Sequence, residues 1–567
     1  MFKKTVLFTA LSSTLALSVH ASQPASQPAS QPKINSGILN KQIEQPHQQH
    51  KIQPSGEIFT PQKQKTTQPT SSTLTFHLSQ IKVIEFEGEA VQEDLSSLIN
   101  PYLNKAVSLS DLHQLTQQIT QFYRNNNYLV ARAILPPQDI VNQTLYIAVI
   151  KGEIGEVTLQ NNSKLHSRFV QRLATTTLGE EDYLQKTDLE KLALLLNDLQ
   201  GIKPQLSLKA GKQRGTTDLH ISLADSQRFS AYTLMDNLGN KETGKYRLSA
   251  GVRLNNLIGF GDDLKLDVTS SDKGKLKSIR ADYAGLIDGY GTKLGAVVSY
   301  LDYQLGGEFK DLGAKGNSNS VGVYVQHPSI RLPHLRLNTK LTFNHQTLQD
   351  KQTAVAVEQK RKLNTLNLAF NGSWRSISKG TTYFSFATTF GNEHQRTNEA
   401  AHYQDGTFKA KKSFTTFNYN LSHEQLLPKS FALNLSLSGQ ISDKNLDSSQ
   451  KMLLGGQYAV RGYRSGAASV DEGQLLQAEL KHFLPLFQES ILTTSLFYDY
   501  GRGKYYKNSQ ALAVEVNNNV VLQSVGVSLS LAAANNYSLT AAIAKPVGKR
   551  LDKESKHQFW FTLLKTF

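Results

Sequence analysis

Tyr246-Arg247-Leu248-Ser249-Ala250-Gly251-Val252-Arg253-Leu254 is the stretch that decides the fold. Its apolar residues fall at every second position, with Arg247, Ser249, Gly251 and Arg253 between them. A period of two sends successive side chains to opposite faces of a strand, so this strand has one greasy face and one polar face. The habit recurs downstream. Leu264, Leu266 and Val268 alternate with Lys265, Asp267 and Thr269. Leu366, Leu368 and Phe370 alternate with Asn367, Ala369 and Asn371. Phe431, Leu433, Leu435 and Leu437 alternate with Ala432, Asn434, Ser436 and Ser438, and Val525, Val527, Leu529 and Leu531 continue the pattern. Every such strand separates two unlike media.

A soluble sandwich also alternates, so three further features are needed to separate it from a membrane barrel. No helical periodicity interrupts residues 226–567. The run ends on Phe559, Phe561, Leu563 and Phe567, an aromatic-rich strand closing at the last residue. The chain also opens like a secreted protein. Lys3 and Lys4 precede a mostly apolar stretch from Thr5 to Ser18, and Val19-His20-Ala21 places small residues at the −3 and −1 positions of a cleavage site. This predicts a signal peptide over 1–21. The stretch is shorter than the roughly 20-residue span of a membrane helix, which argues against a retained anchor. No later stretch reads as a membrane helix, so a membrane-resident mature chain must cross with strands closed into a barrel. Spans of about 10 residues plus connections allow about 16 antiparallel strands.

Composition agrees. The 567 residues are 39% hydrophobic, yet hold 22 Tyr and 25 Phe, as expected of a wall between lipid and water. There is no cysteine, which excludes disulfides and thiolate metal sites. The net charge of +16 is dispersed rather than gathered in a stripe, so it suits a lumen or contact with lipid phosphates better than nucleic acid.

Upstream of the barrel the grammar differs. Residues 22–74 are rich in Gln, Lys, Pro, Ser and Thr and read as a flexible linker, with Ile38 to Glu44 as one short candidate helix. Residues 75–152 then read strand, helix, strand, strand. Ile81, Val83 and Ile84 to Phe86 begin it, and Ser108 with Asp111 caps a helix carrying Leu112, Leu115, Ile119, Phe122 and Tyr123 on one face. Leu129 to Leu135 and Leu145 to Ile150 follow as strands. Residues 153–225 repeat the order. Ile154, Val157 and Leu159 form a strand, Thr187 with Glu190 suggests a capping box, and Leu189, Leu192, Leu196 and Leu199 line a helix stopping at Gly201. Leu206 to Leu208 and Leu219 to Leu223 close the unit. Two small α+β modules are the expectation, and their Leu, Phe and Tyr positions are assigned mainly to cores.

Four stretches carry a resemblance to a known family. The first is Ala133-Ile-Leu-Pro136-Pro137-Gln138, with Leu145-Tyr-Ile-Ala-Val149 and Gly152. The second is Leu234-Met-Asp-Asn-Leu-Gly239, Thr243-Gly244 and Asn256-Leu-Ile-Gly-Phe-Gly-Asp262. The third is Leu454-Gly-Gly456 with Val460-Arg461-Gly462-Tyr463, and the fourth is Phe497-Tyr-Asp499-Tyr-Gly501. In this order and spacing, the chain after residue 75 resembles the two-partner secretion transporters of the outer membrane, the FhaC, ShlB and CdiB type, within the barrel superfamily bearing polypeptide-transport-associated (POTRA) domains.

That resemblance implies two periplasmic POTRA domains, 75–152 and 153–225, before a transmembrane barrel over 226–567. It implies a monomer in contact with outer-membrane lipids that secretes a large exoprotein: an adhesin, a haemolysin or a contact-dependent toxin. It also places Val460-Arg461-Gly462-Tyr463 inside the lumen, with Arg461 facing Asp499. A guanidinium and a carboxylate can form two parallel hydrogen bonds there, fixing orientation. Gly462 would let the loop turn sharply. A surface hairpin with a weak exposed ion pair is the alternative for this segment. The second module departs furthest from the family pattern. An assembly factor that inserts other barrels is the rival function, although such proteins usually carry more POTRA domains. No nucleophile elbow, phosphate loop or ligand cluster suggests catalysis, a metal or another cofactor. His47 and His50 lack a second ligand pair.

Overall fold

The computed structural model describes residues 34–48, 75–85, 88–179, 183–397, 412–486, 490–509, 517–533, 536–548, 551 and 554–567. The expected signal peptide, most of the 22–74 tract, Phe86 and His50 lie outside the described residues.

A helix, α1 (Ser36–Gln48), comes first and extends the Ile38 to Glu44 candidate at both ends. The first module holds β1 (Thr75–His77), β2 (Gln80–Glu85), α2 (Ser96–Ile99), β3 (Ala106–Ser108), α3 (Leu109–Asn125), β4 (Arg132–Ile134) and β5 (Thr144–Ile150). Its main sheet runs β2-β5-β4. Ser108 and Asp111 form a full capping box on α3, whose Leu112, Leu115, Ile119 and Tyr123 recur at helical spacing and pack into the core.

The second module holds β6 (Glu153–Asn162), α4 (Ser167–Leu178), α5 (Lys186–Asn197), β7 (Ile202–Ala210) and β8 (Thr216–Asp225), with sheet order β6-β8-β7. Two local expectations change here. The sequence reading passed over α4, and no side-chain cap forms at α5. Thr187 Oγ1 instead accepts from Asn127 of the first module. The Leu-rich helix ends at Asn197, and Gly201 follows at φ +79°.

Beyond Asp225 the chain closes into a barrel. Its rising and falling strands begin with β9 (Phe229–Asp236), β10 (Arg247–Asn255), β11 (Asp263–Ser271), β12 (Leu276–Leu286) and β13 (Lys293–Gln304). Then come β14 (Ala314–Arg331), β15 (Leu335–Gln352), β16 (Val357–Arg375), β17 (Gly380–Thr397), β18 (Ser413–Leu427) and β19 (Phe431–Ser442). A small hairpin, β20 (Met452–Leu453) and β21 (Ser469–Val470), sits within the next connection. β22 (Glu472–Pro485), β23 (Ile491–Lys504), β24 (Asn519–Ala533), β25 (Tyr537–Pro546) and β26 (Gln558–Thr566) complete the wall. The sixteen strands are antiparallel, and β26 returns to β9.

The alternation read from the sequence is the wall's inside–outside division. Leu248 is 61% exposed on the outer face, whereas Asp499 on the inner face is fully buried. An apolar outside with a polar inside is the arrangement of a barrel in lipid. Strand length is uneven. β9 has 8 residues and β16 has 19, so one side of the cylinder stands far taller than the seam side.

The second module seats on the turns at one end of the barrel. His166 N–H donates to the Gly259 carbonyl at 2.9 Å, and Phe260 stacks edge-on against Phe169. Arg331 Nε donates to Asp198 at 2.6 Å. Asp262 explains the Asn256 to Asp262 motif. Its carboxylate accepts from the backbone N–H of Leu257, Ile258 and Phe260, stapling a turn that also needs positive φ at Asn256, Gly259 and Gly261.

Candidate functional site

The barrel lumen is occupied by two parts of the chain itself. One is α1; the other is the connection from β19 to β22, which folds inward instead of outward. Both sit toward the end opposite the modules.

Val460 to Tyr463 lies in that inward connection. Arg461 is 7% exposed and Asp499 is 0%. The guanidinium donates from Nη2 to Asp499 Oδ1 at 2.7 Å and from Nε to Oδ2 at 2.9 Å. Its Nη1 donates to Glu479 at 3.1 Å, and the Arg461 backbone N–H adds a bond to Asp499 at 3.0 Å. Ser524 Oγ donates to the same carboxylate at 3.1 Å. Arg461 also lies over the Phe497 ring, 3.3 Å from its centroid, and Trp560 Nε1 donates to the Arg461 carbonyl at 2.7 Å. One arginine therefore joins the loop to β22, β23 and β26. A charge buried this deeply is tolerated only because its donors meet acceptors.

The neighbours of the pair are small for steric reasons. A Cβ on Gly501 would come within 2.8 Å of the Val460 side chain. A Cβ on Gly462 would come within 2.6 Å of the Ser524 Cβ and 3.0 Å of the Pro546 nitrogen. Gly462 does not adopt the left-handed region, so the expected sharp turn is not the reason for glycine here. Close approach of loop to wall is. Tyr463 is fully buried with Val460 and Leu522 in a small apolar cluster.

A second ionic node was not foreseen. Arg361, on β16, ion-pairs with Asp350 on β15 and with Asp447 in the inward connection. Its Nη2 also donates to Ser36 Oγ at 3.1 Å, at the start of α1. Ser36 N–H and Oγ each donate to Asp350 at 2.9 Å. Farther along α1, Gln42 accepts from Asn240 Nδ2 at 2.7 Å. Gly37 and Gly466 mark where helix and loop touch: a Cβ on the first would meet Ser448 Oγ at 2.5 Å, and on the second Gln42 Nε2 at 2.6 Å. The available signal was Lys360-Arg361-Lys362, in which alternation turns the central cation inward.

Pro136, Pro137 and Gln138 lie in the first module, far from this lumen. The prolines lack the N–H that would extend β4 along β5. Gln138 restores the missing pair with its side chain: Nε2 donates to the Tyr146 carbonyl at 2.6 Å, and Oε1 accepts from Tyr146 N–H at 2.7 Å.

The two modules meet at Lys151. Its Nζ is 2.7 Å from Glu85 and 3.3 Å from Glu93. The rings of Tyr123, Tyr128 and Tyr183 surround it at 5.7, 5.3 and 5.6 Å, the last from the second module. Burial works against the ammonium, yet the two carboxylates outweigh it and hold its pKa above the usual lysine value. Burial likewise opposes the Glu93 carboxylate. Its own backbone N–H, the Tyr123 hydroxyl and Lys151 outweigh that and hold its pKa below the usual range. Among the described residues, no three His, Asp or Glu side chains are grouped to hold a metal ion.

Comparison with known proteins places this architecture. The family model "Haemolysin secretion/activation protein ShlB/FhaC/HecB" matches residues 215–531, and "POTRA domain, ShlB-type" matches residues 76–152. The chain is 51% identical over 535 residues to the heme/hemopexin transporter protein HuxB of Haemophilus influenzae, covering 94% of this chain and 95% of that protein. It is 21% identical over 406 residues to the outer membrane transporter CdiB of Dickeya dadantii, covering 69% of each. The solved structure of CdiB from Escherichia coli superposes with a TM-score of 0.69 at 18% identity, covering 94% of this chain and 97% of that one.

Proposed function

The chain belongs to the ShlB/FhaC/HecB family of haemolysin secretion and activation proteins, and from that premise we propose which exoprotein it serves and how its pore is kept shut. It is an outer-membrane β-barrel transporter that secretes a partner exoprotein by two-partner secretion, with its POTRA domains in the periplasm. Its client is a secreted protein engaged with heme or hemopexin. The observation that carries this is the 51% identity to a heme/hemopexin transporter along nearly the whole of both chains.

The mechanism we favour is autoinhibition released by the client. In the resting barrel, α1 and the inward connection fill the lumen, held by the Arg361 and Arg461 nodes. The unfolded client docks on the periplasmic arm, where sheet edges such as that of β7 can pair with an extended segment. Docking frees the lumen, and folding outside supplies direction. The working division is a signal peptide over 1–21, a linker with its plug helix over 22–74, POTRA domains over 75–152 and 153–225, and the barrel over 226–567. The protein acts as a monomer against outer-membrane lipids, without nucleic acid, cofactor or catalytic step.

Deleting the gene tests this. Heme- or hemopexin-binding exoprotein should accumulate in the periplasm and vanish from the culture fluid, while other outer-membrane barrels assemble at normal levels. A general loss of barrels would favour an assembly factor. Normal surface delivery of that exoprotein would remove the client assignment.

A further inference from the structure

The tall side of the barrel carries an outward face that neither the lumen nor the arm uses. Residues β16 357–364 and β17 391–397 lie toward the end opposite the arm, which is the extracellular end. Strand register places Lys360 directly opposite Arg396, and Lys362 directly opposite His394. All four side chains are exposed. Immediately toward the membrane, Asn364 pairs with Asn392, and Leu366 pairs with Phe390. Leu366 and Phe390 are 43% and 54% exposed on the outer face and belong to the apolar belt.

This block has an electrostatic cost. Like charges directly opposite on adjacent strands destabilise a sheet. The inward-facing Arg361 between Lys360 and Lys362 is matched by Asp350 and Asp447, but the outward cations are not matched in the same way. Glu358 is the one carboxylate on the outward positions of β15 to β17 among the described residues. It is already shared between Lys351 at 3.4 Å and Lys360 at 3.2 Å. Among the described residues no ion pair reaches Lys362 or Arg396, and a lysine stem can lay its ammonium along the apolar boundary. From Lys362 to Leu366 is four residues, about 13 Å along a strand and about 10 Å of depth at a strand tilt of about 40°, so the cations stand one headgroup layer above the apolar belt.

We propose that this face of β16 and β17 binds the phosphorylated headgroup of an outer-leaflet lipid, with Lys362 and Arg396 on the phosphate, Lys360 and His394 flanking, and Leu366 and Phe390 against an acyl chain. Charge complementarity selects an anion, and the belt directly below selects one that carries hydrocarbon. Guanidinium and ammonium groups are the side chains suited to phosphate oxygens. The bound anion relieves the repulsion across the two strands, so it stabilises the folded barrel.

The full mature protein is placed in nanodiscs of phosphatidylcholine doped with bisphosphorylated lipid A, or with lipid A stripped of both phosphates. The unfolding midpoint should be higher with the phosphorylated lipid, and native mass spectrometry should retain that lipid on the barrel. The pair Lys362→Gln and Arg396→Gln should lose both the shift and the retained lipid, whereas Lys310→Gln on an exposed loop should keep them. Equal midpoints for wild type in the two lipids overturn the proposal. So does an undiminished shift in the double variant. If millimolar inorganic phosphate alone reproduces the shift, the site is for a free anion and the lipid assignment fails. Should the double variant not close into a heat-modifiable barrel, the wild-type comparison of the two lipids and its retained-lipid mass still decide the question.

Discussion

At the scale of single residues, the Arg461 node asks most of its surroundings. Removing the guanidinium would leave the Asp499 carboxylate fully buried with only Ser524, Gln477 and the loop backbone as donors. Breaking a buried pair from one side costs about 3–5 kcal/mol. Arg461→Ala should therefore loosen the inward loop, seen as new protease sensitivity between residues 455 and 470, and lower client secretion at unchanged barrel abundance. Arg461→Lys keeps the charge but loses the planar fork, and should fall between. Full secretion by the alanine variant would remove the node's role. The partnership of Arg461 with Asp499 was legible because each sits in a recognisable stretch. The reason for Gly462 was not, since Ser524 and Pro546 lie far along the chain. Arg361, Asp350 and Asp447 were silent for a related cause: each looks locally like any inward polar residue, and only closure of the barrel brings them together.

At the scale of elements, the capped helix α3 could be read because its apolar spacing and its Ser108–Asp111 box agree. Helix α4 could not. Thr175, Thr176 and Thr177 form a β-branched run across its last turn, and β-branched residues lower helix propensity. Its helicity comes from packing Phe169, Val170 and Leu173 into the core. The joint between the modules has a pH signature. The lowered Glu93 pKa contributes stability that is complete above the ordinary glutamate value of about 4.3 and is lost as pH falls through the depressed one. The raised Lys151 pKa contributes stability below the ordinary lysine value of about 10.4 and loses it as pH rises through the elevated one. The joint should hold across neutral pH and slacken below about pH 4. Amide exchange of residues 151–153, followed against pH, reads this out. Lys151→Met should weaken the acid dependence without abolishing it, because the Glu93 backbone N–H and the Tyr123 hydroxyl still hold the carboxylate, and an unchanged profile would show that Lys151 takes no part in the joint.

At the scale of the whole molecule, the cylinder was legible from alternation taken with the helix-free length of 226–567, the aromatic last strand and the secretory start, because lipid outside and water inside imprint themselves on every strand. Its contents were not, since nothing local distinguishes a loop that folds inward from one that folds out. The seating of the second module was equally hidden. It depends on three turns, around Gly259, Gly289 and Arg331, meeting α4, α5 and their flanking loops. The chain has no cysteine, so an engineered pair would be the sole thiols. A Cβ at Gly289 would lie 3.0 Å from the Arg172 Cβ, within slight relaxation of the roughly 3.8 Å that a disulfide spans. Arg172→Cys with Gly289→Cys should crosslink on oxidation and leave secretion intact. Loss of secretion that dithiothreitol restores would show that the arm must swing.

The braced arm carries a mechanical corollary. With Asp198 tied to Arg331 and Phe260 clamped against Phe169, the arm acts as a jig that sets one fixed height and heading for whatever it holds. The travelling part is then the cargo, reeled past a stationary guide, and the time to cross should lengthen with cargo contour rather than with any stroke of the machine.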